Sequence, residues 1–98
     1  MSKRRVTLER STRETEIRLD LDLDGRRQID IRSGLAFLDH MMHALAFHAG
    51  WDLRLECRGD LEVDDHHTVE DCALVLGEAI DRALGDRQGI ARFGWAYA

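Results

Sequence analysis

The chain has 98 residues, 44% of them hydrophobic and 34% charged, with a formal net charge of −5. That length fits a single domain over residues 1–98, and the acidic balance argues against a nucleic-acid partner, whose recognition needs a basic face or stripe. No apolar run approaches the roughly 18 residues of a membrane span, and the first residues lack the apolar core of a secretory signal. No membrane partner is expected, and Cys57 and Cys72, with no CxxC between them, are read as reduced structural thiols of a cytoplasmic protein.

In chain order, Val6 and Leu8 alternate with Thr7 and Glu9, which predicts a half-buried strand over residues 5–10. Ile17, Leu19, Leu21 and Leu23 alternate with Arg18, Asp20 and Asp22 and predict a second strand. Asp24-Gly25 is a hairpin signal, leading to a short third strand over residues 28–31. Ser33-Gly34 breaks the pattern, with Ser33 as a candidate helix cap. Residues 35–49 read as a helix with Leu38, Met41, Met42, Leu45 and Ala49 on its apolar side, closed by Gly50. Trp51, Leu53, Leu55 and Cys57 mark a fourth strand, and Gly59-Asp60 a turn. Asp64 or Asp65 then caps a helix to about Leu84, with Val69, Ala73, Leu76, Ile80, Ala83 and Leu84 as its apolar stripe. The order β-β-β-α-β-α predicts an α+β two-layer sandwich: a four-stranded, mainly antiparallel sheet with two helices on one face.

Histidines and acids concentrate on the two predicted helices: Asp39, His40, His43 and His48 on the first, and His66, His67, Glu70 and Asp71 at the start of the second. Adjacent helical residues point about 100° apart, so His66 and His67 do not readily share one ion. His66 and Glu70 are four apart, on one face, and form a pair able to hold an ion. His67 looks elsewhere, toward a second ion, with Asp71 as ligand or supporting group. The positive end of the helix dipole is expected to keep the imidazoles neutral, the form that binds metal. Imidazole with carboxylate and no thiolate suits zinc, manganese or iron. The competing reading is a solvated polar helix face. His43 reads as packing, Met41 and Met42 as core, and Cys72 as a small buried residue.

Four segments carry a resemblance. Residues 34–42 (GLAFLDHMM), continuing to His48, resemble the GxxFLDHM…H motif of the imidazoleglycerol-phosphate dehydratase family. Residues 59–71 (GDLEVDDHHTVED) resemble its GD…DDHHTxED motif, residues 10–15 (RSTRET) its RxTxET, and residues 89–94 (GIARFG) its GIxRFG. The motifs run in the family's order along the whole chain. Family members are about twice this length and consist of two similar halves, so the chain resembles the N-terminal half, one half of a duplicated fold.

The resemblance implies a manganese-dependent hydro-lyase of histidine biosynthesis that converts imidazoleglycerol phosphate, a phosphorylated imidazole substrate, to imidazoleacetol phosphate. By motif position, His40, His66, His67 and Glu70 match metal ligands that also meet substrate. Glu14 matches a substrate-contacting acid suited to proton transfer, and His48 and Arg92 match substrate contacts. In the family each ion takes ligands from both halves in a nearly twofold pattern. The resemblance therefore implies that two copies of this half rebuild two Mn²⁺ sites per pair, His40 and His67 of one copy with His66 and Glu70 of the other. A homo-oligomer follows, a dimer at least and extending to a large symmetric shell, with the sheet's outer face and edges as surfaces that favour association. The alternative is a metal-binding, self-associating half-domain without catalysis.

Overall fold

The structure is a computed structural model and describes residues 4–97. Its elements are β1 (Arg5–Ser11), β2 (Thr15–Asp22), β3 (Ile29–Arg32), α1 (Ala36–Ala49), β4 (Asp52–Gly59) and α2 (His66–Leu84). The predicted α+β sandwich is present, in the predicted order.

β1 and β2 form an antiparallel hairpin, paired from Arg5 opposite Asp22 to Ser11 opposite Glu16. Its turn is built on Thr12. The Thr12 hydroxyl oxygen accepts from the backbone N–H groups of Glu14 and Thr15, each at 3.1 Å. This local side-chain capture is a common turn device of threonine.

The second turn departs from expectation. Asp24-Gly25 carries the hairpin signal of two paired strands, yet the sheet order is β1-β2-β4-β3. β4 lies between β2 and β3, antiparallel to the first and parallel to the second. The reason lies at the start of β4. The Asp52 carboxylate oxygen Oδ1 accepts from the N–H groups of Arg26 (2.7 Å) and Gln28 (2.9 Å). Gly25 sits so close that a Cβ there would lie 2.3 Å from the Asp52 backbone nitrogen. The turn thus folds over the end of β4 instead of closing a hairpin, and α1 makes the crossover that parallel neighbours require.

α1 starts at Ala36, with Leu35 rather than Ser33 as its N-cap. Ser33 acts two residues earlier. Its buried hydroxyl donates to Asp39 Oδ1 at 2.5 Å and accepts from the Leu35 N–H at 3.1 Å. Gly50 ends the helix with φ 77°, and the Trp51 N–H reaches back to the Ala46 carbonyl at 2.9 Å, as a glycine-terminated helix does.

The core forms where Ile17, Leu19, Leu21, Leu53 and Leu55 of the sheet meet Met42 and Ala46 of α1 and Cys72, Val75, Leu76, Ala79 and Ala83 of α2. The inner face of α2 keeps Leu76 and Ala83 of the expected stripe buried, with Ile80 and Leu84 packed against the core, but its first turns differ. Val69 and Ala73 face solvent, while Thr68, Cys72, Val75 and Ala79 are buried. On α1, Met42 is core but Met41 is 51% exposed, a second correction. The sheet's outer face carries the expected charged residues, including the pairs Arg18–Glu9 and Arg54–Glu56. Among the described residues, no helix is long and apolar enough to cross a membrane.

Asp52 supplies a pH-dependent prediction. Its backbone hydrogen bond from Gln28, helped by that from Arg26, holds its pKa below 3.8. A depressed carboxylate stabilises the fold above its unfolded pKa, and that contribution is lost as pH falls from 3.8 through the lower folded value. Asp52→Ala should therefore melt at a lower temperature than the parent at pH 7, and the gap should close in strong acid. A gap that stays constant with pH in thermal unfolding would contradict this.

Candidate metal centre

The candidate site grows out of the junction between β4 and α2. β4 ends at Gly59, and a short turn runs to Asp65, the N-cap of α2. The Asp65 side chain makes no cap bond; the Asp64 carboxylate accepts from the His66 N–H at 2.7 Å instead. Gly59 sets how closely α2 approaches the sheet, because a Cβ there would lie 1.9 Å from Thr68 Oγ1. Thr68 is fully buried, and its hydroxyl has no hydrogen-bond partner among the described residues.

Two imidazole–carboxylate pairs result. His66 Nε2 lies 2.9 Å from Glu70 Oε2, the i,i+4 pairing read from the sequence. Both side chains are more than half exposed. His67 turns away: its ring stands at 88° to that of His66, centroids 5.4 Å apart. Its partner is not Asp71 but Asp60, whose Oδ2 lies 2.8 Å from His67 Nδ1. Asp71 is committed elsewhere, accepting from Thr15 Oγ1 at 2.6 Å with Arg10 at 4.0 Å. At His67 a second influence opposes the helix dipole. The hydrogen bond to Asp60 raises its pKa above 6.5, outweighing the lowering by burial, with the charges of Asp60, Glu14 and Asp64 acting in the same direction.

The remaining expected residues are more scattered. Glu14 is half-buried in the β1–β2 turn, and its charge acts on His67. It lines a depression of about 300 Å³ with Arg13, Arg58, Gly59 and Asp60. His40 is exposed on α1. His48 is exposed too and meets the Phe47 ring edge-on at 5.5 Å, while His43 stacks on the same ring at 6.2 Å. Arg92 is exposed beyond α2, in a segment without regular secondary structure. The two thiols fulfil their structural reading. Both are free, and burial pushes both up in pKa, Cys72 far above the usual thiol range.

Among the described residues, no three His, Cys, Asp or Glu side chains gather to hold a metal ion. The expected set of His40, His66, His67 and Glu70 is therefore not assembled within one chain. The donor chemistry nevertheless fits half a site. His66 Nε2 and Glu70 Oε2, 2.9 Å apart and in contact with each other, set one imidazole and one carboxylate on the same helix face, the mixed donor types that suit zinc, manganese or iron. Asp60 was missed as a site residue. It lies in the turn before α2, where helical periodicity does not reach, and the sequence marks it only as part of that turn and of the GD…DDHHTxED motif.

Fold and site together define an α+β sandwich that presents imidazole–carboxylate pairs from the start of one helix. Comparison with known proteins narrows this class. The family model described as Imidazoleglycerol-phosphate dehydratase matches residues 33–98. The chain is 52% identical over 96 residues to an imidazoleglycerol-phosphate dehydratase of Chloroherpeton thalassium, covering 98% of this chain and 50% of that protein. It is 55% identical over 91 residues to one of Cereibacter sphaeroides, covering 93% and 47%. A Phytophthora nicotianae dehydratase is 58% identical over 93 residues, covering 95% of this chain and 21% of its own length. The chain belongs to the imidazoleglycerol-phosphate dehydratase family and spans about half the length, or less, of these relatives.

The Gly59–Thr68 contact is testable by a double-mutant cycle. Gly59→Ala overpacks the junction and should destabilise by about 1–3 kcal/mol. Thr68→Ala removes the obstructing hydroxyl, so Gly59→Ala should cost clearly less in that background. Equal costs in the two backgrounds, measured by urea unfolding, would show that the contact does not govern the junction.

Proposed function

We propose that the chain contributes to dehydration of imidazoleglycerol phosphate to imidazoleacetol phosphate in the cytoplasm, with Mn²⁺ sites completed between copies of the chain. The observation that carries this reading is the His66–Glu70 pair. It is exposed, places an imidazole and a carboxylate on one helix face, and provides two donors of the kinds such a site needs. A mixed imidazole and carboxylate set suits manganese as well as zinc or iron, and manganese is the ion that the motif resemblance implies. The matching positions assign His40 and His67 of one copy to the ion that His66 and Glu70 of the other copy begin.

Exposure favours the helix layer as the joining face, in place of the sheet's outer face expected from the sequence. That outer face is charged. On α1, Phe37, Met41 and Leu45 stand exposed at four-residue steps. His40 and His48 fall on the same stripe at three-residue offsets from Phe37 and Leu45. On α2, Val69 and Leu74 are exposed. Two copies meeting through this layer bury apolar surface and bring the histidines of α1 into the interface. Larger symmetric assemblies are compatible with the same contact.

In this reading a bound metal supplies Lewis acidity toward the substrate. Glu14, within electrostatic reach of His67, carries a proton. His48 contacts substrate, and Arg92 holds the phosphate by a bidentate contact. A carboxylate half-buried beside the depression is well placed to meet a ligand there.

Native mass spectrometry with Mn²⁺, paired with an assay of imidazoleacetol phosphate formation, tests the proposal. We expect dimers or multiples of dimers, two ions per pair of chains, and turnover. Glu70→Ala should lose stoichiometric metal, and Glu14→Gln should retain metal but lose at least roughly a hundredfold in rate. A monomer that retains no metal contradicts the shared-site model. A metal-loaded dimer without turnover selects the non-catalytic half-domain instead.

A further inference from the structure

We infer that Asp60 is a positioning residue that fixes the tautomer of His67 and aims its Nε2 outward as a ligand atom. The inference rests on the proposed metal role of His67. It starts from the hydrogen bond between Asp60 Oδ2 and His67 Nδ1 at 2.8 Å. A carboxylate only accepts, so Nδ1 carries the hydrogen. In the neutral ring the lone pair must then be on Nε2, the nitrogen on the far side of the ring. A histidine that binds through one nitrogen and donates from the other to a carboxylate is more basic and more rigid as a ligand.

Three features make Asp60 suited to this role. Its side chain is only 20% exposed, against 43% for His67, so the acceptor sits behind the imidazole rather than beside it in solvent. Its second oxygen, Oδ1, is buried and accepts no hydrogen bond from the described residues. The carboxylate is also held by its backbone: the Asp60 carbonyl accepts from the Val63 N–H at 2.9 Å and closes the turn. Gly59, immediately before it, allows α2 to approach until Thr68, immediately after His67, packs against the end of β4. The Asp60–His67 distance is therefore set by main-chain packing on both sides. His66 has no such support. It pairs with Glu70 one helical turn on, among exposed side chains. The two histidines are thus unequal: one is held from behind, and the other is held only by its own helix.

The ring nitrogens of His67 report this directly. In ¹⁵N NMR of the metal-free protein, at a pH where His67 is neutral, we expect the Nδ1–H tautomer. Asp60→Ala should shift it toward Nε2–H and weaken Mn²⁺ binding, measured by calorimetry, about 10–100-fold. Asp60→Asn should keep the Nδ1–H tautomer, because the amide oxygen still accepts, and should recover most of the affinity. An unchanged tautomer in Asp60→Ala overturns the inference. So does an equal loss of affinity in the alanine and asparagine variants, which would make Asp60 a ligand itself. If the alanine variant fails to fold, loss of the Nδ1–H tautomer in Asp60→Asn overturns it alone. Tautomer control in a wild-type protein that binds no Mn²⁺ would sink the metal reading while leaving the Asp60–His67 pairing intact. Unchanged Mn²⁺ affinity in a folded Asp60→Ala would sink the inference and leave the proposed function standing.

Discussion

β4 is bonded along both edges, to β2 over eight residue pairs and to β3 over four. Its inner residues Leu53 and Leu55 are fully buried, and its first residue, Asp52, holds the turn that carries the chain from β2 to β3. Its last residue, Gly59, gives α2 room to reach the sheet. One strand therefore sets the sheet order at one end and the geometry of the candidate site at the other. A strand hydrogen-bonded on both sides cannot slip by one residue without turning its leucines out to solvent, so the position of Asp60 beyond its end is fixed with the same firmness.

Local periodicity explains why the elements were legible in the sequence. Period-two alternation in β1, β2 and β4 survives in the structure because one face is buried and the other charged. The i,i+4 pairing of His66 and Glu70 is likewise a property of a single helix. What sequence periodicity missed is non-local. The order of β3 and β4 depends on Asp52 capturing the backbone of residues 26 and 28. The partner of His67 depends on the turn after β4 folding under α2. Asp71, the local candidate for that partner, is drawn away by Thr15 from the neighbouring hairpin.

Val69 and Ala73, expected on the inner stripe of α2, lie outside it for a physical reason that bears on assembly. The helix has two apolar faces. Small side chains, Cys72, Ala79 and Ala83, press against the sheet, while Val69 and Leu74 remain outside. A single-chain reading searches for one stripe and merges the two. α1 repeats the pattern, with Met42 and Ala46 inside and Phe37, Met41 and Leu45 outside. Isolated exposed apolar residues are ordinary on protein surfaces; a spaced row on the helix that also bears His40 and His48 is a more specific feature.

That coincidence links metal and assembly in the proposed shared sites. A two-donor pair on an exposed helix face holds a divalent ion weakly, because water occupies the remaining positions. In that proposal, donors from a second copy would replace the water once the copies are oriented by apolar contact. Any ion that binds the assembled form and not the separated chains stabilises assembly by about 2.7 kcal/mol when free metal is a hundredfold above its dissociation constant. The proposal implies the reverse equally: apolar contact between the helix layers would raise metal affinity by presenting both donor pairs together. An Asp60-held His67 strengthens this link, because a ligand with a fixed tautomer and ring orientation loses less freedom when the second copy arrives.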